Sequence, residues 1–168
     1  MRLGYMTNGF GPLVGDGGGV TSVKDIRYLT ICDDEAVLKQ ITEVGFRCIE
    51  VLEGNLTKYA ADIQVLKNML DKYQAEMMSV CVGANFIYKD ALEDEMYHMK
   101  TVASLAKEVG VSYVGFCGGA IRGKGICDSD YKLLAEGLDE AAKVFEHYGI
   151  ETSYHPHLGS MAEHPDQI

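Results

Sequence analysis

The sequence predicts an α/β protein built as an incomplete (β/α)8 barrel, roughly (βα)4β5, with parallel strands and outer helices. Three observations predict it. Short β-rich runs alternate with helical stretches along the 168 residues. Three of the helical stretches end in the same way, on a glycine placed directly before a β-rich run. Polar residues and glycines gather after the β-rich runs, at what would be one rim.

Leu3–Met6 is the short first strand. Asp33 opens a helix whose apolar stripe runs through Val37, Ile41 and Val44, and Gly45 ends it before the second strand, Phe46–Leu52. Asn55 is the expected N-cap of the next helix, in which Leu56, Tyr59, Ile63, Leu66, Leu70 and Tyr73 recur at helical spacing. The third strand, Met77–Phe86, follows without a glycine stop. Asp90 and Glu93 resemble a capping box for a helix carrying Leu92, Met96, Met99, Ala103 and Ala106 on one face. Gly110 then feeds the fourth strand, Val111–Cys117. Asp128 opens a helix with Leu134, Leu138, Ala141 and Phe145, and Gly149 feeds the fifth strand, Ile150–His155. These stripes are core-packing faces.

Strands joined through helices of this length run parallel, because an antiparallel return needs only a hairpin. An open nucleotide-binding sheet would carry a Gly-x-Gly-x-x-Gly turn after its first strand. Gly17-Gly18-Gly19 comes too late and lacks that spacing, so it reads as a flexible loop tip. Glu163-His164-Pro165-Asp166-Gln167-Ile168 reads as a first helical turn with proline near the start. A complete barrel takes about 250 residues, so the expectation is one domain over 1–168, truncated at its C-terminus.

Composition narrows the function. Apolar residues at 47% and charged residues at 24% are ordinary for a globular chain. The 25 acidic against 15 basic residues give a formal charge of −10, which repels phosphate backbones and anionic lipid. Nucleic-acid and membrane partners are therefore not expected. Five scattered cysteines without Cys-x-x-Cys spacing suit a reducing compartment. With no apolar leader or spanning run visible, the expected location is the cytoplasm.

The chemistry of such a barrel sits at the C-terminal ends of its strands. His155-Pro156-His157 is the sharpest feature there: residues two apart on an extended chain point the same way, so Ser153, His155 and His157 share one side. Two imidazoles at the mouth could hold a divalent metal or shuttle protons, and the bland alternative is a hydrogen-bonded turn. Glu50 shares its strand face with Cys48 and Leu52, where a carboxylate needs a cation, a metal or substrate hydroxyls, unless it already lies beyond the strand and is solvated. Glu53 is expected in solvent. Asn8, Asn85 and Arg122 are substrate contacts by residue type, although each type also serves turns and caps. His98, His147 and His164 are expected to be structural or solvent-facing.

Several of these motifs together resemble the xylose isomerase-like TIM barrels of the sugar phosphate isomerase/epimerase family, inosose (2-keto-myo-inositol) dehydratase-like members included. The resemblance is carried by Gly4-Tyr5-Met6-Thr7-Asn8, by Gly45-Phe46-Arg47-Cys48-Ile49-Glu50 and by Gly83-Ala84-Asn85-Phe86-Ile87-Tyr88. Its most specific part is Tyr154-His155-Pro156-His157-Leu158-Gly159-Ser160, followed by Glu163 and Pro165-Asp166-Gln167-Ile168. It implies a divalent-metal enzyme (manganese, cobalt, magnesium or zinc) that moves a proton next to a carbonyl in a small polyol, sugar or sugar phosphate. The outcome is isomerisation, epimerisation or loss of water. On this resemblance His155 is the first metal ligand and His157 a second ligand or the base; Glu50 is a candidate catalytic group from its place on strand two. Many epimerases of the family carry Glu where this chain has His155, and the ligands from strands six to eight would be absent, leaving the chain inactive alone. Two alternatives stand beside this reading: a DNA-repair nuclease related to the apurinic-site endonucleases, and a non-catalytic half-barrel whose open edges pair with a second copy or a partner.

Overall fold

The structure is a computed structural model that describes residues 3–15 and 27–168. Five parallel strands form one sheet in the order β1 (Gly4–Met6), β4 (Cys48–Leu52), β5 (Glu76–Ala84), β6 (Tyr113–Gly118), β7 (Glu151–Tyr154). These are the five strands the alternation predicts, each neighbour of the next in chain order. Four helices form the outer layer: α1 (Asp34–Glu43), α3 (Ile63–Tyr73), α4 (Lys89–Glu108) and α5 (Asp128–His147).

Strand parity explains the layering. Ile49 and Val51 of β4, Val80 and Val82 of β5, and Val114 and Phe116 of β6 point toward the helices and are buried. They meet Ile41, Leu66, Leu70, Val102, Ala106, Leu134 and Phe145. Phe116 stands edge-on to both Phe86 and Phe145, with ring centroids 6.2 and 5.4 Å apart. Burial of each such ring is worth about 2–3 kcal/mol. The opposite face is polar or small: Glu50 meets Ser79 across β4 and β5, Cys81 meets Cys117 across β5 and β6, and Tyr113 meets Ser153 across β6 and β7. In a barrel this is the inner face.

The helix stops predicted at Gly45 and Gly110 adopt positive φ, 99° and 83°. After Tyr73, where no glycine stands, Gln74 takes the left-handed conformation itself at φ 51°.

Four expectations are corrected. The helix expected from Asn55 to Tyr73 is two helices, α2 (Glu53–Thr57) and α3, because Asp62 caps a fresh start through its carboxylate and the Gln64 N–H. Asn55 is not an N-cap but a buried residue inside α2. Helix α4 begins at Lys89 after Tyr88 with no side-chain cap, so Asp90 and Glu93 form no capping box. A two-stranded antiparallel sheet, β2 (Pro12–Val14) with β3 (Tyr28–Thr30), was absent from the predicted alternation. The Gly17-Gly18-Gly19 run lies outside the described residues. At the C-terminus, Pro165–Gln167 is a single 3-10 turn with proline at its start.

Candidate functional site

The rim at the C-terminal ends of the strands is built by five loops and by β3. After β1 the chain turns through a 3-10 segment, Thr7–Phe10, which places Asn8 in solvent. After β4 it enters α2 directly. Strand β3 is fastened across that junction: the Glu53 carboxylate accepts the Tyr28 N–H at 2.9 Å. Asn55 accepts the Thr30 N–H at 2.7 Å and donates to the Thr30 carbonyl at 3.1 Å and to Asp34 at 3.0 Å. The Tyr28 ring then lies against Gly83, where a Cβ would fall 1.8 Å from a ring carbon. Only glycine fits there.

Glu53 corrects the expectation of a solvated side chain. It is fully buried, and its Oε2 has no hydrogen-bond partner among the described residues. Burial pushes its carboxyl up to about 8, partly offset by the backbone N–H groups that face it. Sequence parity could not find it, because its cover comes from Tyr28, distant along the chain. Desolvation also raises the Tyr28 phenol to about 12.

Glu50 lies on the inner face of β4, as its alternation with Cys48 and Leu52 requires, is half-buried, and accepts the Ser79 hydroxyl. His155 and His157 follow β7 and are exposed, with ring centroids 6.0 Å apart. The His155 N–H extends the β6 ladder to the Phe116 carbonyl at 2.6 Å. The His157 backbone N–H donates to Ser160, and its Nδ1 lies 3.0 Å from the Leu158 carbonyl. Glu50 sits in the middle of β4, while the two histidines follow β7, the edge strand, with β5 and β6 lying between.

Two predicted substrate contacts are otherwise engaged. The Arg122 Nε donates to Asp130 at 2.8 Å, its Nη2 donates to the Ile87 carbonyl at 3.1 Å, and its guanidinium lies 5.0 Å from the centre of the Tyr88 ring. Asn85 donates from its backbone and its side chain to Glu95, at 2.9 and 3.1 Å. The second Glu95 oxygen accepts the Phe86 N–H at 3.0 Å, holding Phe86 at a φ of 62° that a non-glycine residue rarely adopts. Both side chains shape the loops rather than standing free, and pairing with Arg122 holds the Asp130 carboxyl below its ordinary value.

Of the other histidines, His98 is half-buried and lines a cavity of about 100 Å³ with Tyr28, Asn85 and Gly118. Burial lowers its pKa. His164 caps the last turn. Metal chemistry finds a short donor set. Among the described residues no group of three or more His, Cys, Asp or Glu side chains is placed to hold an ion. His155 and His157 supply two imidazoles of the right type, whereas a zinc-type centre takes three or four protein ligands. Among those residues, too, no helix is long and apolar enough to cross a membrane.

Comparison with known proteins agrees with the fold. The family model for xylose isomerase-like TIM barrels matches residues 38–168. An inosose dehydratase of Geobacillus kaustophilus (strain HTA426) is 26% identical over 147 residues, covering 80% of this chain and 46% of the relative. The chain thus spans about half the length of the curated relatives it matches. A sugar phosphate isomerase/epimerase from Parabacteroides distasonis superposes with a TM-score of 0.60 at 16% identity, over 93% of this chain and 51% of that one. The IOLI protein with a bound zinc atom superposes with a TM-score of 0.67 at 16% identity, over 92% and 51%. At such identities these two structures show a common fold.

Proposed function

We propose, because this chain belongs to the xylose isomerase-like TIM barrel family, that it forms part of a divalent-metal-dependent enzyme acting on a small keto-polyol, sugar or sugar phosphate. The reaction is proton transfer next to a carbonyl, with loss of water from an inosose as the foremost case and isomerisation or epimerisation as its chemical neighbours. The observation that carries this reading is the family match over residues 38–168; Glu50 on the inner face of β4 and the exposed His155 and His157 after β7 support it. The relatedness to inosose dehydratases supports dehydration as the outcome.

Each residue has a defined task in this reading. Glu50, hydrogen-bonded to Ser79, holds a carboxylate where a carbon-bound proton could be taken. His157 is the second proton-transfer group, and His155 beside it would supply an imidazole to a divalent ion. Asn8 is free to meet a substrate hydroxyl. Asn85 and Arg122 act at one remove, by fixing the loops after β5 and β6. A bound divalent ion would supply Lewis-acid polarisation of the substrate oxygens. Two imidazoles do not complete its coordination, so further donors must come from outside the described set. The chain as it stands is expected to bind weakly and to turn over little.

Amide NMR of the chain titrated with 2-keto-myo-inositol in the presence of manganese or magnesium tests this. The expected result is shift changes at Glu50, Ser79 and His155, no measurable turnover, and no binding of an abasic DNA duplex. Salt-dependent binding of that duplex with no response to keto-polyols would overturn the reading in favour of a repair nuclease.

A further inference from the structure

The inner face of the sheet carries a chemistry that proton transfer does not use. Cys81 of β5 and Cys117 of β6 bring their sulfurs to 3.4 Å. The register sets Gly115 opposite Cys81 and Gly83 opposite Cys117, so no side chain from either strand stands on the diagonal between the thiols. At Gly115 an added Cβ would have nothing within 4 Å, which leaves open room beside Cys81. Cys117 is half-buried at the rim, whereas Cys81 is 7% exposed. A small oxidant therefore meets Cys117 first.

We propose that Cys117 and Cys81 form a peroxide-reactive dithiol at the mouth of the sheet, with Cys117 the sulfur attacked and Cys81 the resolving thiol. Exposure assigns these roles, Cys117 being half-buried and Cys81 buried; either thiol can donate the hydrogen bond between them, and Cys117 also lies 3.6 Å from the Val82 carbonyl, to which it can donate. Burial and, more weakly, the Glu50 carboxylate oppose a thiolate at Cys117. In the first step the Cys117 thiolate attacks a hydroperoxide oxygen. An S–O bond forms, the O–O bond breaks, and the departing hydroxide or alkoxide takes up a proton. In the second, the Cys81 sulfur attacks the sulfenic acid; an S–S bond forms, the S–O bond breaks, and the hydroxyl leaves as water with the Cys81 proton. Two thiols and one hydroperoxide give one disulfide, one water and one alcohol (a second water from hydrogen peroxide). Closure to about 2.05 Å needs the side chains to turn toward each other and β5 and β6 to yield slightly. A small thiol would reverse it.

The test treats the reduced chain with one equivalent of hydrogen peroxide, alkylates the remaining thiols and maps the peptides by mass spectrometry. The expected product is a Cys81–Cys117 cross-linked peptide with Cys32, Cys48 and Cys127 still alkylated. Cys117→Ser should slow peroxide consumption about tenfold or more. Cys81→Ser should leave a sulfenic acid at Cys117 that dimedone traps. Oxidation that begins at the exposed Cys32 or Cys127, or Cys117 oxidised in the unsubstituted chain without a link to Cys81, overturns the proposal. If either serine variant fails to fold, as judged by far-UV circular dichroism, the map of the unsubstituted chain decides alone.

Discussion

Glu53 shows how a single carboxyl becomes unusual through cover rather than through a charged neighbour. Its folded pKa, about 8, lies above the ordinary 4.5 because burial favours the neutral form. The stability this contributes is present below about pH 4.5 and is lost as the pH rises through about 8. Urea midpoints of the chain should therefore fall between about pH 5 and about pH 9, and those of Glu53→Gln should fall less. Parallel curves for the two would show that the carboxyl titrates as if in solvent. Nothing in the local sequence announces this: parity along β4 places Glu50 correctly on the inner face, but Glu53 follows the strand and is enclosed by Tyr28. Arg122 and Asn85 were legible as rim residues by position. Their partners, Asp130 and Glu95, lie one helix turn or more further on, where residue type alone does not reveal the pairing.

Among the elements, the parallel strands and outer helices were legible because a periodicity of two or of 3.6 is a local property. The β2–β3 pair was not. Each of its strands is three residues long, too short to show an alternation, and its stability comes from the α2 junction. Asn55 is the fastening, bonded to both the N–H and the carbonyl of Thr30. Asn55→Ala should cost about 2 kcal/mol in chemical denaturation, since it leaves buried backbone groups unpaired. The same substitution should free the Thr30 amide to exchange faster. A change near zero would mean that β3 is held by something other than this side chain. The split between α2 and α3 has a similar origin: the apolar spacing runs through both, and the break at Asp62 is a capping event that spacing does not register.

At the scale of the molecule, five parallel strands in sequential order set one apolar face against the helices and one polar face toward the barrel interior. The parallel strands followed from their alternation with helices, and the family match over residues 38–168 agrees with that arrangement. We propose that the rim of this sheet is the metal- and substrate-facing side, with His155 and His157 after its outer strand. Paramagnetic broadening by manganese, read residue by residue in the amide and imidazole spectrum, tests it most directly. The expected result is broadening centred on His155 and His157 and fading toward Glu50, removed by a chelator and abolished in the His155→Ala, His157→Ala double variant. Broadening centred on acidic helix surfaces, with the two imidazoles sharp and unchanged, would contradict it.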